Sequence, residues 1–597
     1  MKNILLFIID SLNYSYVKHS SLELMPFLKE LEQKGISCEN MFSQAPYTEA
    51  AVMNIYCGQN VLSNGGYINR FKDAPLTIFE AMQKKGYVTY FNSMQPQCYP
   101  SSLRRGVDHL YYNVGYDLGA LWSYRLAHYS AIQKKGEMRD WDYSTLIGII
   151  EDNLLEWLRV SNEIACGNST VEMIKDNAKG YDACAVAKAV TSEYETFLKD
   201  KKAYVIRLLE EGKAHSLYSI PAFVQNNKIK NRDKMDEIRE VVMPVLKRVR
   251  RMNRRLNLRN EKNILKGPFR KFGSFLNHPS KTSFKDCLKS GYLSYNALFD
   301  SDLYERIKGD YDLFKNAPSA RTHIDHYLRW AKEKASVTPH FACIHIDDIH
   351  NPEQFFTYDS DDIGLIKHEM EDAIALLDTI PKDHHGSISH ALSLRYMDGV
   401  IRYMYERLES EGLLEDTVVA ICADHGFSFS GVPLRDSFVI NLFLENYNIP
   451  FVITGAGHEG LRLKDLRSSK DIAATLCSIA DGNIPDKFDG RSVIANEGYP
   501  HISIEYCGGG CPDLTRRELK MAAFDNQWFV GVLATVDQDI DAHTLTEIYN
   551  LVNDPQQVKN LVKGKYDENA VAPLIKALRE RKDQIRRDTN QFAKAVQ

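Results

Sequence analysis

NILLFIID, at Asn3–Asp10, is an apolar run that ends in an aspartate. Two later runs end in a similar way: acids follow Phe341–Ile346, and an Asp-His pair follows Val418–Ala423. Short runs rich in Val, Ile, Leu and Phe, with helical stretches between them, are typical of buried strands in a mostly parallel sheet. Ligands of open α/β sheets bind outside the carboxyl ends of the strands. We therefore expect the polar residues that follow the three runs to meet at one edge of a sheet.

The residues at these three strand ends are of the kinds that hold a metal ion. They are Asp10 after the first run, Asp347, Asp348 and His350 after the second, and Asp424 and His425 after the third. Carboxylate oxygens beside imidazole nitrogens suit a divalent cation such as Zn, Mn, Ca or Mg. The alternative is that each Asp caps a helix or starts a turn, which is the better interpretation of any one of them alone. Because three runs end alike, the sequence favours a metal site.

The chain has 597 residues, which is too long for one ordinary domain, and its 44% hydrophobic and 26% charged content is globular. Strand-like and helix-like segments alternate over 1–110 and again over 326–484, which predicts one α/β catalytic domain made of both parts. Long helical patterns over 111–325 predict a large helical insertion. Residues 485–597 are predicted to form a smaller C-terminal α+β subdomain.

The compartment is predicted from four features. The first apolar run is too short for a membrane span, no cleavage site follows it, and no later stretch reaches the length of a spanning helix. The chain has eleven cysteines, an odd number that is mostly scattered singly, which fits reduced thiols better than a disulfide framework. We expect a soluble, cytoplasmic protein.

The segment 247–271 carries a sharp excess of positive charge inside the predicted insertion. It has eleven Lys or Arg residues and one acid, a net charge of +10, with apolar residues between the cations. Such a stretch suits peripheral contact with an anionic membrane, at the inner face of the cell membrane in a cytoplasmic protein, or a polyanionic substrate. A solvated helix face is the alternative. Nucleic-acid binding is disfavoured, because no recognition fold accompanies the charge.

The segment Ala45–Gly58 contains a candidate nucleophile, Thr48. Pro46 ends the preceding segment, Thr48 is a good N-cap, and Gly58 would close a helix of about two turns. A hydroxyl at a helix N-terminus faces unpaired N–H groups and the positive end of the helix dipole, which favours a tetrahedral anion and an alkoxide. A threonine N-cap without chemistry is the alternative.

The chain resembles the sulfatase branch of the alkaline phosphatase superfamily. The opening Asn3–Leu12 is similar to the first strand and metal-binding Asp of that family, and Ala423–Gly426 matches its Ser-Asp-His-Gly motif. Family members place a Cys, Ser or Thr nucleophile ten residues before a turn glycine, as Thr48 stands before Gly58. His345–Pro352 is similar to the family segment in which a His contacts the substrate or a metal. The resemblance covers about 1–100 and 326–565, and it implies an enzyme that cleaves or transfers an ester group.

Departures from the family pattern narrow the implied chemistry. Sulfatases that use formylglycine carry Cys-x-Pro-Ser-Arg, whereas this chain has Thr48 and, in place of the Arg, Val52. A threonine cannot be oxidised to that aldehyde, so ordinary arylsulfatase activity is disfavoured. Ser11 replaces the second Asp of the usual pair, which weakens a calcium site of sulfatase type. Relatives with a Thr nucleophile act on phosphate esters, by hydrolysis or by transfer to an acceptor.

The predicted mechanism is attack by Thr48 on phosphorus, assisted by a cation on Asp10, Asp424, His425 and Thr48 itself. His350 would protonate the leaving oxygen or bind a second metal with Asp347 or Asp348. Two further residues are weaker candidates for that second metal or for the substrate: His458 and Arg435. Each is better explained as a surface loop residue.

The expected partners are a phosphate-bearing small molecule, lipid or saccharide, in surface-polysaccharide or lipid-head-group modification. A sulfuric ester hydrolase is the first alternative function. A non-catalytic binding protein with the same fold is the second.

Overall fold

The first apolar run forms strand β1 (Asn3–Ile9), an inner strand of a nine-stranded sheet in the computed structural model of the chain. The structure describes residues 1–63, 66, 74–93, 105–112, 129–130, 132–165, 183–211, 237–249, 251–252, 319–334, 338–350, 362–381, 387–427, 442–495, 497–507 and 518–596. The other strands of this sheet are β2 (Ile36–Phe42), β3 (Val88–Ser93), β4 (His109–Tyr112), β5 (His340–Ile346), β6 (Thr417–Ala423), β7 (Asn448–Ile449), β8 (Phe451–Thr454) and β9 (Leu461–Ser468).

The sheet is mostly parallel, as the sequence predicted. Its order is β4-β3-β5-β1-β6-β8-β2, with β7 and β9 also paired to β2. Pairings among β4, β3, β5, β1 and β6 are all parallel, and so is that of β2 with β9. β7 and β8, on either side of Pro450, run antiparallel to their neighbours. All strands except these two therefore end at the same edge, which we call the carboxyl edge.

The three predicted strands are apolar without alternation because both of their faces are covered. Every residue of β5 and β6 is buried, and so is all of β1 after its first residue. The register sets Ile9 beside Ile346 on one side and beside Ala423 on the other. The next residues, Asp10, Asp347 and Asp424, consequently leave the sheet at the same level.

Helices cover this sheet in two groups. Among the described residues, the following helices have defined bounds, in chain order: α1 (Tyr14–His19), α2 (Pro26–Lys34), α3 (Thr48–Cys57), α4 (Ile78–Lys84), α5 (Asp140–Ala165), α6 (Ala183–Lys199), α7 (Lys201–Glu211), α8 (Ala320–Lys334), α9 (Ile363–Thr379), α10 (Ile388–Ser410), α11 (Asp471–Asp481) and α12 (Glu568–Val596). α10 contacts α2, α8 and α9, while α11 contacts α3 and α4. α5, α6 and α7 pack on one another within the predicted helical insertion. No helix among the described residues is both long enough and apolar enough to cross a membrane.

A second, antiparallel sheet lies near the C-terminus. Its strands are β10 (Ile502–Cys507), β11 (Leu519–Phe524), β12 (Trp528–Ala534) and β13 (Leu545–Asn550), in that order, with α12 packed on β11 and β12. The predicted α/β class with a smaller α+β part is confirmed. The boundaries that we placed at 110, 326 and 484 stay a prediction.

The small sheet is joined to the loop after α3 through Glu505. Its carboxylate pairs with Arg581 of α12 through two bonds of 2.7 Å, and it accepts a third hydrogen bond from the backbone N–H of Leu62 at 2.9 Å. The Glu505 backbone N–H donates to the Gln44 carbonyl at 2.9 Å. A buried carboxylate is tolerated when charge-assisted bonds of this kind satisfy it, so the subdomain is fixed against the segment that leads into α3.

Candidate functional site

Thr48 is the first residue of α3, at the carboxyl edge of the sheet. We expected it to be the N-cap, but the N-cap is Tyr47, whose extended backbone (φ −155°, ψ 154°) precedes the helix. The Thr48 side chain is consequently free of capping and points into the protein, where it is buried. Its Oγ1 donates to Asp10 Oδ2 at 3.1 Å and lies 3.4 Å from His425 Nε2. The candidate nucleophile therefore contacts two of the predicted metal ligands.

Asp10 and Asp424 are both fully buried, one after β1 and one after β6. His425 Nε2 lies 3.7 Å from Asp10 Oδ1 and 3.6 Å from Asp424 Oδ2. Oδ1 of Asp424 accepts the backbone N–H of His425 at 2.7 Å and that of Ser11 at 3.1 Å. The four residues that we assigned to the metal are therefore in one place.

The tautomer of His425 follows from its neighbour. Its Nδ1 lies 2.6 Å from the carbonyl oxygen of Gly426. A carbonyl only accepts, so Nδ1 carries the proton and Nε2 of the neutral ring presents a lone pair to the carboxylates. Gly426 itself is tightly placed, since a Cβ there would lie 2.3 Å from the carbonyl oxygen of Glu445.

His345 belongs to the same cluster, although we had named it only as the start of a family-like segment. It lies inside β5, next to Ile8 of β1 in the register, and its Nε2 is 3.7 Å from Asp424 Oδ2. Ligand atoms of Asp10, His345 and Asp424 lie within 4.8 Å of one another. A histidine in an otherwise apolar strand, one residue from its end, was the signal available in the sequence.

Asp348 has a different role from the one we considered for it. Its Oδ2 accepts the backbone N–H of Ala320, the first residue of α8, at 3.0 Å and the Tyr396 hydroxyl of α10 at 2.8 Å. These bonds tie two helices to the carboxyl edge, which favours a structural role over a second metal site. Asp347 is buried at the start of the turn after β5, and its carbonyl accepts the His350 N–H at 2.9 Å.

His350 lies close enough to Asp10 for its charge to act on that carboxyl. This places it beside the cluster formed by the other predicted ligands. The described residues provide no contact that assigns it to a second metal.

His458 is not at this site, and our prediction for it was wrong. β8 runs antiparallel to β6, so the residues after β8 emerge at the opposite edge of the sheet, where Gly455 approaches Thr417 at the start of β6. His458 is exposed there and lines a cleft of about 620 Å³ together with Lys2 and Glu459. The apolar run before His458 does not reveal the direction of its strand, because the run is equally apolar in both directions.

Arg435 and most of the basic segment lie outside the residues that the structure describes. Arg248 is the exception of interest, since it forms an ion pair with Asp378 of α9. Its charge is directed at the α/β domain in this structure.

The electrostatics of the site are those of a buried carboxylate pair. Burial raises the pKa of the Asp10 carboxyl, but the neighbouring imidazoles of His350, His425 and His345 and the hydrogen bond from Ser11 outweigh it and hold that pKa below its ordinary value. Burial and the neighbouring Asp10 charge raise the pKa of Asp424. Burial lowers the pKa of the His345 imidazole, which keeps that ring neutral, the form that binds metals.

These residues fit a divalent cation. Among the described residues, no hydrogen-bond donor reaches Oδ2 of Asp424, although this oxygen is buried. A buried charged oxygen is costly unless it is paired or coordinates a metal. Two carboxylates, a hydroxyl and neutral imidazole nitrogens form a mixed oxygen and nitrogen donor set, which suits Zn or Mn better than Ca, because Ca prefers oxygen ligands alone.

The chain belongs to the sulfatase family, whose sequence profile matches residues 2–130 and 255–482. This confirms the resemblance to the sulfatase branch of the alkaline phosphatase superfamily. The profile spans both parts of the predicted catalytic domain. No curated protein matches the chain.

Solved structures of similar fold include two phosphonate monoester hydrolases. That of Silicibacter pomeroyi has 14% identity and a TM-score of 0.47, with 98% of this chain and 96% of that chain covered. That of Agrobacterium radiobacter has 13% identity and a TM-score of 0.44, with coverage of 99% and 96%. A third, in complex with its substrate D-glucosamine-2-N,6-O-disulfate, has 13% identity, a TM-score of 0.44 and 98% coverage of each chain. Identities and TM-scores at this level carry no information about the substrate.

Proposed function

We propose that this sulfatase-family protein is a metal-dependent enzyme that cleaves phosphate esters through a covalent intermediate on Thr48. The observation that carries the proposal is the placement of the Thr48 hydroxyl. It is buried at the N-terminus of a ten-residue helix, 3.1 Å from Asp10 and 3.4 Å from His425. A hydroxyl in such a place is activated by its neighbours, and the helix N-terminus favours a tetrahedral anion.

The choice of phosphate over sulfate rests on the nucleophile. Threonine cannot become the formylglycine aldehyde, and Val52, which is buried inside α3, stands where formylglycine sulfatases have an arginine. An unmodified hydroxyl attacks phosphorus as an alkoxide, and the ester oxygen leaves. Both observations support phosphoryl chemistry within the family.

Asp10, Asp424, His425 and Thr48 are the residues that would hold the cation, with His345 beside them. When bound, a divalent cation neutralises charge on the substrate oxygens and lowers the pKa of a hydroxyl. The buried Asp10–Asp424 pair would hold the cation by charge. The His425 ring, fixed by Gly426, presents its lone pair without rearrangement.

The covalent step balances as follows. A bond forms between Thr48 Oγ and phosphorus while the bond from phosphorus to the ester oxygen breaks. The Thr48 proton passes to solvent as the hydroxyl attacks, so the Asp10 and Asp424 carboxylates stay ionised. His350, in its protonated form, protonates the leaving oxygen. A water or an acceptor hydroxyl then attacks the phosphorus of the phosphothreonine and gives its proton to the neutral His350. The bond from phosphorus to Thr48 Oγ breaks, and this oxygen takes a proton from solvent, which completes hydrolysis or transfer respectively.

The substrates we propose are phosphate-bearing lipids or saccharides of surface-polymer or lipid-head-group metabolism. The support is the +10 segment 247–271, which suits polyanions and anionic surfaces. On this proposal the protein acts in the cytoplasm, at the inner face of the membrane.

The test compares aryl esters that differ only in the group transferred. Chelator-treated protein is supplied with Mn²⁺, Zn²⁺, Mg²⁺ or Ca²⁺ and assayed with p-nitrophenyl phosphate, bis-p-nitrophenyl phosphate and p-nitrophenyl sulfate. We expect metal-dependent release from a phosphate ester, and an intact-mass adduct of one phosphoryl group after rapid quenching. Thr48→Val should form no adduct.

Two results would overturn the proposal. Cleavage of the sulfate alone would make the protein a sulfuric ester hydrolase with an unmodified nucleophile. Metal binding with no Thr48-dependent reaction on any ester would make it a non-catalytic binding protein.

A further inference from the structure

Ser11, directly after Asp10, has an unusual backbone. Its φ is +62°, and among the described residues with side chains only Gln557 is also at positive φ. A side chain in this left-handed region is disfavoured, and residues held there cluster at functional sites. Ser11 is also almost completely buried. Something in the surrounding structure therefore holds this residue in place.

Ser11 contacts both acids of the candidate metal site. Its hydroxyl donates to Asp10 Oδ1 at 2.5 Å, and its backbone N–H donates to Asp424 Oδ1 at 3.1 Å. The two acids follow different strands and are 414 positions apart in the chain. One residue thus connects them across the carboxyl edge.

The two bonds divide the oxygens of each carboxylate into separate roles. Both Oδ1 atoms are engaged by Ser11, while Asp10 Oδ2 faces the Thr48 hydroxyl at 3.1 Å. Asp424 Oδ2 faces His345 and His425 at 3.7 and 3.6 Å, and no described donor hydrogen-bonds to it. Outer hydrogen bonds that orient metal ligands are a general feature of metal sites.

We propose that Ser11 is a positioning residue that presents Asp10 Oδ2 and Asp424 Oδ2 to one cation, and that its left-handed backbone serves this contact. This inference rests on the metal site of the proposed function. Ser11 itself is not a ligand here, since its hydroxyl is used by Asp10. The competing explanation is a tight turn that serves the fold only.

Two variants separate the hydroxyl from the backbone. Ser11→Gly removes the hydroxyl but adopts positive φ without strain, so the N–H contact with Asp424 is retained. Ser11→Ala removes the hydroxyl and keeps a Cβ that disfavours this backbone. Ser393→Ala is the matched control, because Ser393 is also a buried serine, bonded through its hydroxyl to the His390 carbonyl in α10 at 2.9 Å.

The measurement is calorimetric titration of chelator-treated protein with Mn²⁺ and with Zn²⁺, alongside the melting temperature of the metal-free protein. We expect Ser11→Gly to weaken Mn²⁺ binding by about tenfold, Ser11→Ala to weaken it further within the range of about 10–100-fold seen for such residues, and Ser393→Ala to leave it unchanged.

The outcomes distinguish the two proposals. If the wild-type protein binds neither ion, there is no metal site, and this inference falls together with the proposed function. If it binds and both Ser11 variants bind within twofold of it, only the role of Ser11 is refuted. Variants that melt at lower temperature with an unchanged dissociation constant would make Ser11 a turn residue of the fold.

Discussion

The two edges of the main sheet are formed by opposite ends of the same strands, and they place charged side chains in different surroundings. At the carboxyl edge, Asp10 and Asp424 are buried side by side, and their described ion pairs are with the imidazoles of His345 and His425. At the amino edge, the Lys2 ammonium lies at the surface and donates to the carbonyls of Glu415 and Gly455 at 3.0 and 3.1 Å. The first arrangement is costly for the fold alone, while the second costs little. Among the described residues, the difference favours the carboxyl edge over the amino edge as the place where a ligand binds.

Strand β5 shows the same contrast between its two histidines. His340, at the first position, is buried against α8, and its Nε2 shares a hydrogen bond of 2.9 Å with the Tyr327 hydroxyl. His345, near the last position, faces Asp424 instead. Residue type and burial are alike, so the partner alone separates a packing histidine from a site histidine.

The largest effect is expected at the nucleophile. Thr48→Val keeps the shape and removes the hydroxyl, and it should lower kcat on a phosphate ester by at least about a thousandfold. Thr48→Ser should retain activity. Thr417→Val, at the amino edge, removes an equally buried hydroxyl that bonds to the Leu413 carbonyl at 2.7 Å, and should leave kcat unchanged. Similar kcat values for Thr48→Val and Thr417→Val would show that the Thr48 hydroxyl has no special role in the reaction.

Two histidine substitutions, one at each edge of the sheet, compare the edges by their effect on metal affinity. His425→Ala should weaken Mn²⁺ binding by about 100-fold or more, because the lone pair aimed at the carboxylates is lost. His458→Ala should change neither affinity nor rate, because this residue lies at the other edge. Calorimetric titration measures the Mn²⁺ affinity of both variants. Loss of binding in His458→Ala would mean that the cation does not bind at the carboxyl edge.

Asp424 is expected to destabilise the metal-free protein. Its pKa is raised by burial and by Asp10, so its ionisation at neutral pH opposes folding. Asp424→Asn should therefore stabilise the chelator-treated protein by roughly 1–3 kcal/mol while abolishing tight metal binding. Its free energy of unfolding can be measured in urea at pH 7.5.

Asp398→Asn is the matched control for that substitution. Burial raises the pKa of Asp398 as well, but its two oxygens accept the N–H groups of Phe27 and Leu28 at 3.0 and 2.9 Å. Its substitution should destabilise the protein, since Asn can accept only one of these bonds. A lower stability for Asp424→Asn too would show that both acids serve the fold.

The smallest effect is expected at the amino end of β5, where His340 should influence how the free energy of unfolding depends on pH. Burial lowers the pKa of His340 to about 4 from an ordinary value of 6.5. Between these values the unfolded chain binds a proton that the folded chain does not, so stability is complete above about pH 6.5 and falls as the pH drops, by about 1.4 kcal/mol per unit for this group. His340→Asn should reduce that slope in urea unfolding between pH 7.5 and 5.5 and leave activity intact. An unchanged slope would contradict the assignment.

Much of the fold could be predicted because burial on both faces requires continuous apolar strands. β1 was predicted at Asn3–Ile9 and is found there, and β5 and β6 each begin one residue earlier than predicted. The positions of Asp10 and Asp424 followed from the edge at which parallel strands end, and that of Thr48 from the start of a helix and its spacing to Gly58. The helix at Asp140–Ala165 lies in the stretch 111–325 that was predicted to be helical, but its ends were not predicted, because helix ends depend on local capping more than on periodicity.

The site could be predicted only as a set of residue types at strand ends. Asp347 and Asp348 were equivalent in the sequence, and the packing of α8 and α10 decided that Asp348 serves the helices. His345 was missed as a ligand candidate because a strand presents two faces and the sequence does not say which one meets a neighbouring acid.

The sequence by itself thus determined the sheet, its inner strands and the acids at their ends, because an apolar run and the residue that follows it are local features of the chain. Only the tertiary structure decided the direction of β8, which carries His458 away from the site, and the conformation of Ser11, which joins Asp10 to Asp424. Both depend on contacts between segments hundreds of residues apart. Hydrogen bonds of this kind form only after the strands are placed, so no pattern within either segment records them.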